Sequence, residues 1–324
     1  MRRHAYRYSP LLAALLCALA NIAFSQTWPS RPIKLIVAQG PGSAPDVVAR
    51  FVSDRLTRAL GRQVLVDNRA GGDGLIGMQA AARAPPDGYT LVFAVSSSIV
   101  INPVVFKTLP YDAEKDFASV GMVGISPLIV VVNTEVKANT LGELIALAKA
   151  EPGKLAFASP GRRRLPGMIG DMIKIKAGID MLHVPYQGAQ GIQDTLAGRT
   201  QVTVQGIPAV ASMIQRGQLR ALAVSSGKRL AGLELVPAIA ETLPGFDYVG
   251  WFALMAPSGT PTEPIQRVNR ELGVMLDDAE VRDRLRALGI YTDGVGTPAQ
   301  LDAFIRREVA NWAQTVKELG IEPE

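Results

Sequence analysis

The chain has 324 residues, with 34 basic and 29 acidic side chains, one cysteine and two histidines. A lone cysteine excludes an internal disulfide or a thiolate metal cluster. A net charge of +5 on a chain that is 48% hydrophobic describes a globular protein with ample core, not a basic nucleic-acid-binding arm.

Residues 1–25 carry Arg2, Arg3 and Arg7, then an apolar core from Leu11 to Ala20, then Ala23 and Ser25 at the small positions of an A-x-S cleavage site. This is the pattern of a secretory signal peptide, and its apolar core is too short for an ordinary membrane span. Cleavage after Ser25 would leave 324 less 25, or 299, residues without Cys17 or His4. It would also leave 31 basic against 29 acidic side chains, a net charge of +2. The expectation is an exported, periplasmic chain with no nucleic-acid partner, and the length suggests two domains. His183, in "MLHVPY", is then the only histidine. It reads as a hydrogen-bonded core residue, because a Ser-His-Asp or histidine-zinc site would have to rest on it alone.

Short apolar runs alternate with helical patterns. "IKLIVA" (33–38) precedes "DVVARFVSDRLTRALG", in which Val48, Phe51, Val52, Leu56, Ala59 and Leu60 form one face and Gly61 ends the helix. "QVLVDN", a helix after Gly77 and "TLVFAV" (90–95) follow, the order expected of a mainly parallel sheet covered on both faces. The pattern resumes with "PLIVVVN" (127–133) and "TLGELIALAKA", opened by a capping box of Thr140 and Glu143. "LAFAS", a helix from about Pro166, "DMLHVPY", a helix near "GIQDTLAG", "QVTVQ", a helix from Pro208 and "LRALAVS" complete a second α/β unit. After "GWFALMAP" the chain is helical to its end, with Thr297, Pro298 and Gln300 opening the last helix. Two such units, with a final helical segment returning to the first, place domain 1 at residues 26–125 plus 250–324 and domain 2 at 126–249. A cleft between the two is a common ligand site.

"GGDGLIG" (71–77) has the G-x-G-x-x-G spacing of a dinucleotide fingerprint at Gly72, Gly74 and Gly77. The next strand, however, ends in "AVSSSIV", without the carboxylate that would bind a ribose. The glycines therefore read as a turn serving tight packing, and no cofactor is expected. There is no G-x-S-x-G elbow or P-loop, the acids of "PYDAEKDF" read as solvated, and no catalytic pair is found, so the chain does not read as an enzyme.

The loop "AQGPGSAPD" (38–46) leaves the first strand for the first helix. Gly40 and Gly42 let its backbone approach a ligand, and the helix start offers amides and the positive end of a dipole. Asp46 reads as the N-cap. "ASPGRRRLPG" (158–167) stands in the matching place in the second unit with Arg162, Arg163 and Arg164, and any arginine facing the cleft would clamp a carboxylate. "SSS" (96–98) and "QGIPA" (205–209) follow strand ends and could serve a polar ligand or a helix cap.

These segments together resemble the Bug family, the extracytoplasmic solute-binding receptors of tripartite tricarboxylate transporters. The resemblance rests on "WPSRPIKLIV", "PGSAPDVVAR", "VDNRAGGDGLIG", "PDGYTLVF", "INPVVFKTLPYDAEKDF", "HVPYQG", "LRALAVSSGKR", "WFALMAPSGTP" and "FIRREVANWAQTVKELGI" among others, in order over the chain after the leader. It implies a type II periplasmic-binding-protein fold, two α/β domains with an interdomain ligand cleft. It further implies a small organic carboxylate ligand held by the two cleft loops. Carried over, these are Gln39, Gly40, Pro41, Gly42, Ser43 and Ala44, and Ser159, Pro160, Gly161, Arg162, Arg163 and Arg164, with Ser96, Ser97 and Pro208 nearby. This chain has Gln39, Gly40 and Pro41 where the family usually shows an aromatic residue and two prolines. It has Arg162 to Gly167 where the family shows a small polar run.

The implied partners are membrane transporter subunits, with a signalling sensor as the alternative, and the implied state is a monomer. The arginine run favours a ligand with more than one negative charge.

Overall fold

The computed structural model describes residues 28–186, 189–318 and 321–323. The leader reading of residues 1–25 lies outside them. The chain forms two five-stranded sheets, each with its own helices. In the first, β1 (Ile33–Val37), β2 (Val64–Asn68) and β3 (Thr90–Val95) run parallel in the order β2-β1-β3. Then β10 (Gly250–Pro257) and β4 (Phe117–Ser126) extend the sheet, with β10 antiparallel to both β3 and β4. The second sheet runs β7 (Leu182–Pro185), β6 (Ala156–Ser159), β8 (Val202–Gly206), β5 (Leu128–Asn133), β9 (Leu219–Val224). There β6 is parallel to its neighbours, and β5 is antiparallel to β8 and β9.

The expectation of mainly parallel sheets holds, with one reversed strand in each, β10 in the first and β5 in the second. The reason is the route of the chain: β4 hands over to β5 at residues 126–128, and β10 receives the chain returning from β9. A strand that enters a sheet from the other lobe runs against the strands built by local β-α-β steps.

The sequence reading also missed β4. "FASVGMVGIS" has Gly121 and Gly124 in the middle of a strand, which weakens the apolar pattern. The packing explains them: a Cβ at Gly121 would stand 2.5 Å from Val295, and one at Gly124 would stand 2.7 Å from the Tyr291 carbonyl oxygen. The final helical segment lies against this strand.

Local rules act as read elsewhere. Helix α1 (Ala44–Leu60) buries Val48, Val52, Leu56 and Leu60, while Phe51 is half-buried and Ala59 exposed. It ends at Gly61, whose φ of 66° and bond to the Thr57 carbonyl close the last turn. Helix α2 (Leu75–Ala82) and the short α3 (Asn102–Val105) complete the first half of lobe 1. In the second lobe Thr140 caps α4 (Leu141–Ala150) by accepting from the Glu143 amide at 3.1 Å, and Glu143 reaches back one residue further than expected, to the Asn139 amide. Helices α5 (Leu165–Ala177), α6 (Gln190–Leu196) and α7 (Ile207–Gln215) cover that sheet. Helices α8 (Thr262–Asp277), α9 (Ala279–Ala287) and α10 (Pro298–Glu318) return to lobe 1. Thr297 and Gln300 exchange the two bonds of a capping box at the start of α10. No helix among the described residues is long and apolar enough to cross a membrane.

Candidate functional site

Three helices begin at the interface between the lobes: α1 from the first, α5 and α7 from the second. Each begins with an apolar residue followed by proline, as Ala44-Pro45, Leu165-Pro166 and Ile207-Pro208. Proline in the first turn has no N–H to leave unpaired, and the remaining amides of that turn point out of the helix end. None of the three preceding residues, Ser43, Arg164 and Gly206, caps its helix with a side chain. The positive ends of three dipoles thus face one cleft without a local acceptor.

Between them lie two adjoining chambers. The inner one, of about 70 Å³, is reached by Gln39, Ser43 and Ala44 of the first loop, by Ser96 and Ser97 after β3, and by Pro160 and Arg164 of the second loop. The outer one, of about 290 Å³, is bounded by Gly40, by Ala70 to Asp73, by Gly161, and by Pro185 and Tyr186. Gln39, Ser43, Pro160 and Arg164 line both, so they form the partition. Either volume alone falls short of the roughly 300 Å³ at which ordinary ligand sites begin, and the two together reach it.

Of the expected residues, Pro41, Gly42, Ser159, Arg162, Arg163 and Pro208 line neither chamber. Pro41 and Gly42 form the exposed tip of their loop. Arg162 is exposed and Arg163 half-buried, which leaves Arg164 as the arginine that enters the cleft. Pro208 is buried one residue inside α7, and Gly206 takes its place at the wall. Ser159 is fully buried beneath its loop.

Ser159 belongs to a constellation that invites a catalytic reading. Its hydroxyl lies 2.7 Å from His183 Nε2, and His183 Nδ1 lies 3.1 Å from the Asp171 carboxylate. The hydroxyl, however, also contacts the Gly161 carbonyl oxygen at 3.1 Å, accepts from the Gly161 amide at 3.3 Å and lines no chamber. Stacked on Phe157, His183 braces the second cleft loop from below. A nucleophile needs a path for its substrate, and this fully buried serine lines neither chamber.

Asp46 corrects the sequence reading. Ser43 occupies the N-cap position, and Asp46 stands three residues on, where its carboxylate accepts from the Gly42 amide at 2.9 Å, from Arg50 and from Asn68. Asn68 in turn donates to the Gln39 carbonyl at 3.0 Å, so the acid holds the whole first loop in shape. Burial alone would raise its pKa, but the bonds from Arg50, Gly42 and Asn68 outweigh that and hold it below its ordinary 3.8. A depressed carboxyl pKa contributes stability above the unfolded-state value, and that contribution is lost as pH falls through the folded-state value. Asp46→Asn is therefore expected to cost about 1–3 kcal/mol at neutral pH. In thermal melts at stepped pH, its deficit against the parent should close as the pH drops below the carboxylate range. A deficit that persists unchanged in acid would assign the loss to packing instead.

Several contacts join the two lobes across the cleft. The Leu165 amide, first in α5, donates to Ser97 Oγ at 3.0 Å, so the cap missing from the second lobe comes from the first. Arg164 reaches the Ala38 carbonyl at 3.3 Å, and its Nε lies 3.6 Å from Asp73 Oδ1. Burial pulls the guanidinium pKa down, and the carboxylate of Asp73 offsets only part of that. A Cβ at Gly161 would fall 2.0 Å from Asp73 Oδ1, and one at Gly206 would fall 2.5 Å from the Ala44 Cβ. The glycine fingerprint has its role here: a Cβ at Gly74 would meet the Arg164 guanidinium at 3.0 Å, and one at Gly77 would meet Ala38 at 2.6 Å. Its glycines seat the cross-lobe arginine and pack α2 on β1.

Sequence reasoning missed Asp73, although it lies inside the glycine motif at 71–77. It also missed Ser126, Leu128, Gly250 and Phe252, which line the inner chamber where the chain crosses between lobes. Placing the crossings near 125 and 250 was the signal that could have found them. Among the described residues, no group of three or more His, Cys, Asp or Glu side chains is placed to hold a metal ion.

Two α/β lobes facing a cleft lined by helix starts define a periplasmic-binding-protein fold. Residues 48–321 match the family model described as the tripartite tricarboxylate transporter family receptor, TctC. The chain belongs to this family. It is 38% identical to a UPF0065 protein of Bordetella bronchiseptica, over 97% of this chain and 93% of that protein. It is 36% identical to protein BugT of Bordetella pertussis, over 94% and 95% of the two chains. The solved structure of R. palustris Rpa4515 with adipate is 30% identical, with a TM-score of 0.88, and the match covers 92% of this chain and all of that one (100%).

Proposed function

We propose that this protein is an extracytoplasmic receptor that captures a small organic carboxylate between its lobes and presents the closed form to membrane subunits of a tripartite tricarboxylate transporter. The observation that carries the reading is the meeting of three helix starts without a side-chain cap from their own N-cap residues, with Ser96 and Ser97, at an inner chamber that no acidic side chain lines. Amides and hydroxyls so placed bind a carboxylate without a counter-charge at the point of contact. Family membership and the adipate held by Rpa4515 support the same ligand class. Closure follows from contacts that both lobes make to one ligand only when they meet. The receptor acts as a monomer in the periplasm.

The test is a thermal-shift screen of residues 26–324, refolded from denaturant to strip carried ligand, against carboxylates, their neutral amides and amines. A ligand at 100 times its Kd stabilises the native state by about 2.7 kcal/mol, several degrees in Tm for a chain this size. Shifts confined to carboxylates are expected. Shifts with amines or amides alone would sink the reading. For delivery, saturating carboxylate should increase the capture of transporter membrane subunits by the immobilised protein, and equal capture with and without ligand would refute it.

A further inference from the structure

We propose that the outer chamber selects a carboxylate whose second polar group is uncharged and both donates and accepts hydrogen bonds, a hydroxyl or a carboxamide, in preference to a second carboxylate or an ammonium. The proposal rests on the receptor reading and specifies its ligand. Among the described residues, Arg164 and Asp73 are the only charged side chains lining the two chambers, and they face each other at 3.6 Å. The arginine that would hold a second carboxylate is therefore already balanced, against the expectation drawn from the arginine run. A second ligand carboxylate in the outer chamber would share Arg164 with Asp73 and face the acid's own charge. An ammonium would face the mirror-image conflict with Arg164.

Gln39 points to what fits instead. It is 5% exposed, it lines both chambers, and neither its Oε1 nor its Nε2 has a hydrogen-bond partner. Buried polar atoms in a native protein are paired in the great majority of cases, so an amide with both ends unpaired at a cleft wall is a ligand contact by default. The argument is independent of which way the amide is turned, since both of its ends are open. A hydroxyl or carboxamide serves both ends. A carboxylate serves only the NH₂ and sets its lone pairs against Oε1, while an ammonium does the reverse. Arg164 Nε, also without a hydrogen bond, adds one more donor to the same partition.

The experiment is isothermal titration with two matched series. One is succinate, 4-hydroxybutyrate, succinamate and 4-aminobutyrate. The other is adipate, 6-hydroxyhexanoate, adipamate and 6-aminohexanoate, with butyrate and hexanoate as unsubstituted references. Within the series that binds more tightly, the hydroxyl or carboxamide member is expected to bind at least tenfold tighter than the dicarboxylate. Asp73→Asn keeps the shape, suits the positive φ of 51° at that position, and should shift this ratio at least tenfold toward the dicarboxylate. Gln39→Leu should remove the advantage of the hydroxyl and carboxamide members over the unsubstituted acid, which keeps the test open if Asp73→Asn folds poorly. A parent protein that binds the dicarboxylate or the amino acid most tightly overturns this proposal and leaves the receptor standing. Absence of heat from every carboxylate overturns both.

Discussion

Gly206→Ala is expected to weaken ligand binding by roughly 5- to 150-fold while leaving each lobe folded. Gly206 has φ −65° and ψ 136°, a conformation alanine adopts freely, so the backbone of lobe 2 has no reason to resist the change. The added methyl carbon would instead fall 2.5 Å from the Ala44 Cβ, at the start of a helix in the opposite lobe. Neither residue can retreat easily, since Ala44 begins α1 and Gly206 ends β8 where it joins α7. The strain is present only when the lobes meet, and overpacking of this kind costs about 1–3 kcal/mol, which gives the stated range of affinity. Calorimetry would read the loss in Kd, and small-angle scattering at saturating ligand would show a larger radius of gyration than the parent. An unchanged Kd would mean that the lobes close elsewhere or that binding does not require closure.

The layout of this interface was legible in the sequence to the extent that local chemistry sets it. Both cleft loops follow from a strand, a glycine-containing turn and a helix start, and the structure places seven of the fifteen expected residues on the inner chamber. What escaped was whatever depends on contact between lobes. Arg162, Arg163 and Arg164 are chemically equivalent in a sequence. The third turns inward through its contacts with the Ala38 carbonyl and Asp73 of the other lobe, in a loop where Gly167 packs so closely on the Gly161 carbonyl that its Cβ would stand 2.3 Å away. Asp73 was hidden for the same reason: its partner lies 91 residues away in the chain, at Arg164. The reading of Asp46 as a cap erred by the choice of residue, because a carboxylate at the third helical position also satisfies an orphan amide, that of Gly42. Strand β4 escaped because its glycines answer to α8 and to Tyr291, which no local window includes.

Arg164→Met is expected to lower carboxylate affinity by about 2 kcal/mol or more, close to 30-fold, for two separable reasons. The first is direct: the side chain is 8% exposed and crosses from lobe 2 to the Ala38 carbonyl and Asp73 of lobe 1, so its removal deletes a contact that favours the closed state. The second is the acid left behind. Asp73, 24% exposed and still aimed at the outer chamber, would face the ligand without its counter-charge. Partial exposure screens that charge, which keeps the expected penalty at the low end of what breaking a buried pair costs. The double variant Asp73→Asn with Arg164→Met separates the two: neutralising the acid should recover at least tenfold in affinity if repulsion dominates, and little if the lost bridge does. Arg162→Ala, an exposed member of the same run, serves as the control and should stay within about 0.5 kcal/mol of the parent. A loss at Arg162 equal to that at Arg164 would show that the run acts through its total charge and that the inward turn of one arginine carries no recognition.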